Sequence, residues 1–417
     1  MAAELPSEIM FDILSRMPVK SLARFRCVSK LWCNYINNPY LEIMCAKRAI
    51  VNEPMLIMFH QFPSDHPNSP CMLSYLEYTA EEEEEDTSYM EYTEEEEEEK
   101  EEEEVETFTL QVNTKPPVME FMCKSGTYRY PNDIILGSCN GLLYSSKGHC
   151  DDNTLFVIHP LRKECYELPP INIRNSYLRI SVEETCGLGF DYSNNTFKMV
   201  SVVLREHVSG PNFYQVNEGI YTMVHVLGTD SWRKIPQVPS YPITGEGVFA
   251  NGCLHWLISN ERYGDHSTYL ERRVVSFDVS NEKFGLINAP HGRPCGLVRE
   301  QLVDLHGEVG YVYHIVNHGV EVWVLKERGW VMHCEFDQKW PLPRGVIKVL
   351  GFWNQNGDVL MTDKWKEIYV YNLESDSLDQ AYFVGWEEKA AIDIRLYEIS
   401  LFTARNWINN YSEKKVS

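Results

Sequence analysis

Leu5-Pro6-Ser7-Glu8-Ile9-Met10-Phe11-Asp12-Ile13-Leu14-Ser15-Arg16-Met17-Pro18-Val19-Lys20-Ser21-Leu22, followed by Arg24-Phe25-Arg26-Cys27-Val28-Ser29-Lys30-Leu31-Trp32, is a short helical hairpin with more apolar surface than it can bury by itself. Pro6 suits a first helical position, where its missing N–H costs nothing. Ile9, Ile13, Leu14 and Met17 follow helical spacing on one stripe. Pro18 cannot continue that helix. Leu22 and Phe25 sit three apart on a second short helix. Leu31, Trp32, Tyr35 and Ile36 make a third apolar stripe before the stop at Asn37-Asn38-Pro39. So few residues do not make an independent core. A partner, or the rest of the chain, is expected to cover the remainder.

Working outward, the 417 residues have room for two or three domains, or for one large β domain with an appendage. No run of eighteen apolar residues occurs, which excludes a membrane-spanning helix. Glu4, Glu8 and Asp12 stand where a signal peptide would be basic and then apolar, so a cytosolic or nuclear location is expected. Twelve cysteines are scattered from Cys27 to Cys334 without a C-x-x-C pair. In a reducing compartment they read as small buried hydrophobes, and the sequons at Asn194 and Asn410 carry no glycan information. The net charge is −23, but residues 77–106 hold nineteen acids against Lys100, a local −18 that leaves only −5 for the rest. The folded parts are therefore near neutral, with neither a nucleic-acid footprint nor a membrane-binding face.

The acidic run has little to bury and repels itself. It is flanked by strand-like segments, Met55–Phe59 and Met72–Leu76 before it, Phe108–Leu110 and Val118–Phe121 after it. It therefore reads as a disordered loop inserted within a β domain, with docking of basic partners as the alternative use. Residues 51–407 are short strands and turns rich in aromatic and β-branched residues. A loose repeat runs through them. One unit is a Gly-bearing turn followed by an apolar strand: Asn140-Gly141, Asn251-Gly252, His306-Gly307 and Asn356-Gly357. The other is a strand, a polar turn and a return strand: Ile158–Pro169, Phe277–Phe284 and Val370–Ser375. The last three Gly-bearing turns are about fifty residues apart, the spacing of a four-stranded propeller blade. The expected fold is mainly β, a propeller-like domain of six or seven blades behind a small helical N-terminus. A large β-sandwich is the alternative.

The N-terminal stretch resembles the F-box: its Leu-Pro opening, Ile-Leu-Ser-Arg-Met-Pro-Val-Lys-Ser-Leu middle and Val-Ser-Lys-x-Trp close match in order and spacing. The resemblance implies docking onto the Skp-type adaptor of a cullin–RING ubiquitin ligase. It divides Leu5, Pro6, Ile9, Ile13, Leu14, Pro18, Val19, Leu22, Val28 and Trp32 between adaptor contact and packing of the F-box itself. The β region resembles the plant F-box-associated, kelch-like interaction domain. The matching segments are Gly137–Leu143, Gly187–Asp191 with Lys198–Val200, Leu227–Arg233, Gly247–Trp256 and Val349–Trp353. The acidic insert departs from that family's usual length. These resemblances imply residues 1–45 as F-box, 51–407 as target-binding β domain interrupted by residues 77–106, and 408–417 as a flexible tail.

A ligase receptor of this kind needs no catalytic residues or cofactor, because ubiquitin transfer occurs on other subunits. The chain has no G-x-S-x-G elbow, P-loop, G-x-G-x-x-G or H-E-x-x-H. His314 and His318 read as strand residues roughly 13 Å apart, too far to share one metal ion. Gly228–Trp232 has only a superficial likeness to the Asp-box turn of sialidases and does not recur. His255 reads as a satisfied core or rim residue, and Trp232, Trp256, Trp323, Trp353 and Trp365 as packing between blades, with a target-binding face as their alternative. Target choice is expected in the loops at 205–220, 236–246 and 259–271, on one face of the domain. The expected function is that of substrate receptor, joined to adaptor, cullin and an unknown protein target. The alternatives are an adaptor-bound scaffold with no degraded target and a β-propeller hydrolase.

Overall fold

The computed structural model describes residues 6–17, 19–36, 38, 40–41, 55–61, 71–80, 110–114, 119–121, 135–147, 154–160, 164–171, 180–209, 214–259, 272–290, 298–315, 319–337, 347–354, 356–363, 367–384 and 391–397. Three short helices open the chain: α1 (Ser7–Leu14), α2 (Val19–Phe25) and α3 (Lys30–Ile36). All later described elements are strands.

Four separate four-stranded antiparallel sheets follow one another as meanders. The first holds β5 (Ile135–Cys139), β6 (Leu142–Lys147), β7 (Thr154–His159) and β8 (Glu164–Glu167). The second holds β9 (Ile180–Asp191), β10 (Thr196–Ser209), β11 (Tyr214–Val226) and β12 (Arg233–Ile235). The third holds β13 (Ile243–Ala250), β14 (Cys253–Ile258), β15 (Arg273–Asp278) and β16 (Lys283–Asn288). The fourth holds β17 (Val298–Leu305), β18 (Glu308–Ile315), β19 (Gly319–Lys326) and β20 (Gly329–Asp337). The fifth sheet has nine strands. It runs through β21 (Lys348–Phe352), β22 (Val359–Thr362), β23 (Ile368–Asn372) and β24 (Ser377–Val384), and then through the early strands β3 (Leu110–Thr114), β2 (Cys71–Ala80) and β1 (Met55–Gln61) to β25 (Ala391–Tyr397). β4 (Met119–Phe121) pairs with β2 off that path.

The fold is thus a β-propeller of five sheets, not the six or seven blades expected from the repeat. The reason lies in one pairing. β24 joins β3 in parallel, Ala381 opposite Leu110, so strands from the two ends of the chain are hydrogen-bonded into the fifth sheet. The first strands of the five sheets, with β25, pack side by side as a ring: β5 on β9, β9 on β13, β13 on β17, β17 on β21, β21 on β25 and β25 on β5.

The Gly-bearing turns join first to second strands, as their sequence implies. Asn140 and Gly141, Asn251 and Gly252, and His306 and Gly307 all have positive φ, the tight hairpin geometry that matches strand twist. The fourth member differs: at Asn356-Gly357 only Gly357 has positive φ, beside a register shift at Val349/Gly351. The polar turns join third to fourth strands. Both kinds of turn lie at one end of the propeller. Ser280 Oγ, in the turn after β15, donates to Asp191 Oδ1 at the β9–β10 turn, and the Tyr397 hydroxyl at the end of β25 donates to Gly141 O at the β5–β6 turn.

The core is built from alternating strand residues. Leu142, Tyr144, Leu188, Met199, Leu254, Trp256 and Phe277 form one cluster across the first three sheets. Val312, Val320, Val349, Val359 and Met361 form another between the fourth and fifth. Each fully buried aliphatic or Phe side chain contributes about 1.5–3 kcal/mol relative to exposure. The layered sandwich alternative is not what these clusters make, since each lies between successive sheets around the ring.

Several sequence readings are corrected. The described residues of the stretch 205–220 are strand, not loop. Residues 205–209 belong to β10 and 214–220 to β11. In 236–246, β13 already begins at Ile243. Of 259–271, only Ser259 is described, and it is buried. Glu77–Ala80, assigned to the acidic loop, are strand β2, and residues 81–106 lie outside the described residues, as do 408–417.

Candidate functional site

The helices build a miniature core. Pro6 precedes α1 with φ −52° and ψ 143°, and its carbonyl accepts from Met10 N at 3.1 Å. Ser29 Oγ accepts from Trp32 N at 3.1 Å and caps α3. Met10, Phe11, Leu14, Leu22, Ile36 and Leu41 are buried. Phe11 meets Tyr35 and Tyr40 edge-on at 5.1 and 5.2 Å, and Phe25 meets Trp32 at 5.4 Å.

This packing divides the single stripe read from the sequence into two. Met10, Phe11 and Leu14, three and four apart, face inward. Ile9 and Ile13, also four apart, remain 45% and 43% exposed, and Met17 is intermediate. Val28 is 63% exposed, Leu31 47% and Tyr40 53%. Half of the large apolar side chains left exposed among the described residues thus lie in this short segment. Of the ten residues named from the sequence, Ile9, Ile13, Val28 and Pro6 are exposed and Trp32 is half-buried. Leu14 and Leu22 are fully buried, so they hold the helices together and do not reach a partner. Leu5, Pro18 and the Val19 side chain lie outside the described residues. The sequence reading gave Leu31 and Tyr40 no part in adaptor binding. Only packing distinguishes them from the equally apolar Ile36 and Leu41.

The propeller carries its charge in closed sets. Asp191 accepts from Ser193 N and Oγ, Asn194 N and Nδ2, Ser280 Oγ and Lys198 Nζ. Burial pushes its carboxyl pKa up, but the bonds from Lys198, Ser193, Asn194 and Ser280 outweigh burial and hold it well below the usual range. Lys198 also donates to Val279 O and Glu282 Oε1, both at 2.9 Å, and Glu282 pairs with Arg233. The set joins the second sheet to the third. Asp191 uses both of its carboxylate oxygens in this set, and Glu282 Oε1 takes both Lys198 and Arg233. Sequence reading missed it, although Asp191-Tyr192-Ser193-Asn194 and Asp278-Val279-Ser280-Asn281 share a D-x-S-N spacing that was the available signal. In both, Oδ1 accepts from the backbone N–H two and three residues on.

His255 is buried and donates through Nδ1 to Val248 O, as a core residue would. Burial pushes its pKa down to about 4. His314 is buried on β18, and His318 lies outside the described residues. Among the described residues, no group of three His, Cys, Asp or Glu is placed to hold a metal ion. Trp256 is fully buried between sheets, Trp353 is buried, Trp232 and Trp323 are partly buried against the core, and Trp365 is outside the described residues. No helix among the described residues is long and apolar enough to cross a membrane.

Two protein families match the sequence of this chain. The F-box domain matches residues 3–44, and the F-box associated beta propeller domain matches residues 84–406. Similar proteins of Arabidopsis thaliana include the F-box/kelch-repeat protein At3g23880, 24% identical over 89% of this chain and 88% of that protein. F-box protein At3g07870 is 25% identical over 91% and 88%, and F-box protein At1g47340 is 24% identical over 93% and 77%.

Proposed function

The chain belongs to the F-box associated beta propeller family, and from that membership we propose that it is the substrate-recognition subunit of an SCF-type cullin–RING ubiquitin ligase. The observation that carries the reading is the uncovered apolar set of the helical segment: Ile9 and Ile13 on α1, Leu31 on α3, and Val28 in the turn between α2 and α3. Burying each of these side chains in a partner yields about 1.5–3 kcal/mol. A Skp-type adaptor takes that surface, and the propeller takes the target. Holding both raises the local concentration of target lysines near the ubiquitin-carrying enzyme, so positioning is the whole contribution and the subunit itself is not catalytic. Such a subunit works in the cytosol or nucleus.

The test is co-purification of the full chain with a Skp-type adaptor. The double variant Ile9→Asp, Ile13→Asp is expected to lose the adaptor by at least a hundredfold, because two charges would be desolvated in the interface. Its propeller melting transition should stay in place. Adaptor capture at full strength by that variant sinks the assignment of this surface. Accumulation of a bound protein when the proteasome is blocked separates a receptor from a scaffold.

A further inference from the structure

The second sheet is built differently from its neighbours. β9, β10 and β11 have 12, 14 and 13 residues, whereas the corresponding strands of the third sheet have 8, 6 and 6, and those of the fourth have 8 each. Their turn end is aligned with that of the third sheet by the bonds of Asp191 and Lys198 to Ser280, Val279 and Glu282. The surplus length therefore leaves the propeller at the opposite end. Six further residues of strand reach about 20 Å. The departure is marked by a bulge between Arg205 and Glu206, opposite Gly219 at φ +128°.

Beyond the bulge, Ile180–Val182 pair with Arg205–His207, and Glu206–Ser209 pair with Tyr214–Asn217. The fourth strand stops short. β12 pairs only with Thr222–Val224 of β11, and Lys234 of β12 sits over the Tyr221 ring at 3.8 Å, at the foot of the projection. From Tyr214 to Asn217 the strand is paired by β10 alone among the described strand pairings, and Glu218 is the extra residue of the bulge. An open edge of this kind is a template for one more strand. The projecting stretches 180–184, 204–209 and 214–220 contain Glu183, Glu184, Glu206 and Glu218 against Arg205, a formal −3.

We propose that an extended, basic segment of the target protein adds as a further strand along Tyr214–Glu218, so that the second sheet is the docking element of the propeller. The inference deepens the receptor reading and rests on it. Backbone pairing supplies the affinity and the glutamates select a basic partner.

The test uses the full chain bound to its adaptor and three labelled ten-residue probes: alternating Val and Lys, alternating Val and Glu, and the Val–Lys peptide with alternate backbone nitrogens methylated. The Val–Lys peptide should bind and slow hydrogen exchange at residues 214–218. The other two should bind at least tenfold more weakly. Replacing residues 206–217 by Asn-Gly should cost at least tenfold. Either Gln215→Pro or Val216→Pro, whichever removes an outward N–H, should do the same without altering the melting temperature of the other sheets. Equal binding of the Val–Lys peptide to the shortened chain places the peptide elsewhere, the acidic run included, and overturns the proposal. So does indifference to N-methylation, absence of binding, or a dimer of this chain that the shortening abolishes. Loss of adaptor co-purification in the unaltered chain would instead overturn the receptor reading, while leaving the peptide result to stand on its own.

Discussion

His255 lies inside the third sheet with its Nδ1 proton committed to Val248 O. Its folded pKa of about 4 lies below its ordinary value of 6.5, because burial disfavours the charged ring. The unfolded chain therefore binds the proton first. This stability is fully present above pH 6.5 and is lost as pH falls from 6.5 towards 4. At pH 5.5 the loss is about 1.4 kcal/mol. His225 and His314 are pushed down by burial too and act in the same direction. Urea unfolding at pH 7.5 and 5.5 should show this loss, and His255→Gln should flatten it. An equal slope in both proteins would refute the attribution. Asp191 acts in the same direction, in a more acid window. Its folded pKa is depressed, so its contribution holds above its ordinary value of 3.8 and fails only in stronger acid. Gly247 is a different kind of residue constraint. A Cβ there would stand 2.8 Å from Gly187 Cα and from Trp256 Nε1. Gly247→Ala is expected to cost about 1–3 kcal/mol, because the first of these neighbours is backbone and cannot swing away. A variant within 0.5 kcal/mol of the native chain would show that β9 and β13 can separate freely.

At the scale of elements, the helices and the tight turns answer to different physics. α1 is apolar on two adjacent stripes, and only packing assigns one inward. Leu14→Asp should therefore melt the helical segment, whereas Ile13→Asp should leave its helicity within a few per cent of native. Limited proteolysis of the full chain within residues 7–36 reports this difference, and equal protection of both variants would contradict the division. The hairpin turns are legible from Asn-Gly and His-Gly pairs alone, since positive φ at both central positions demands such residues. Gly252 holds φ +77°, and a Cβ added there would meet nothing nearer than Tyr192 Cδ2 at 4.0 Å. Gly252→Val should thus cost about 1–2 kcal/mol through backbone strain and not through a clash. A neutral result in chemical denaturation would mean that the turn relaxes to another type. The strands of the second sheet were less legible. Arg205–Ser209 and Tyr214–Ile220 alternate weakly and hold several polar residues, so pairing across the sheet, not local pattern, makes them strands.

At the scale of the whole molecule, the ring must be closed. Glu246, on the bulged part of β13, accepts two bonds of 2.6 Å from Arg395 on β25 and pairs with Lys348 on β21 at 3.4 Å. One carboxylate thereby ties three inner strands, one of them contributed by the last described segment. The pair is partly exposed, so Arg395→Met is expected to cost about 2 kcal/mol, less than a fully buried pair would. The measurement is the urea midpoint and slope of the full chain. A lower midpoint with an unchanged slope fits loss of one contact within a cooperative ring. A reduced slope would mean that the sheets had uncoupled, and no change would mean that closure does not depend on Glu246.

The sequence by itself determined the class of the fold and the nature of the helical segment. Both are written in local chemistry: helical spacing before Pro18, glycine where φ must be positive, and alternation along short strands. It did not determine the number of sheets, because the parallel pairing of β24 with β3 joins residues some 270 positions apart and leaves no periodic trace. Nor did it separate Ile9 and Ile13 from Leu14 and Leu22, which are equally apolar. Only the tertiary structure does that, because burial depends on what packs against a side chain and not on the side chain alone.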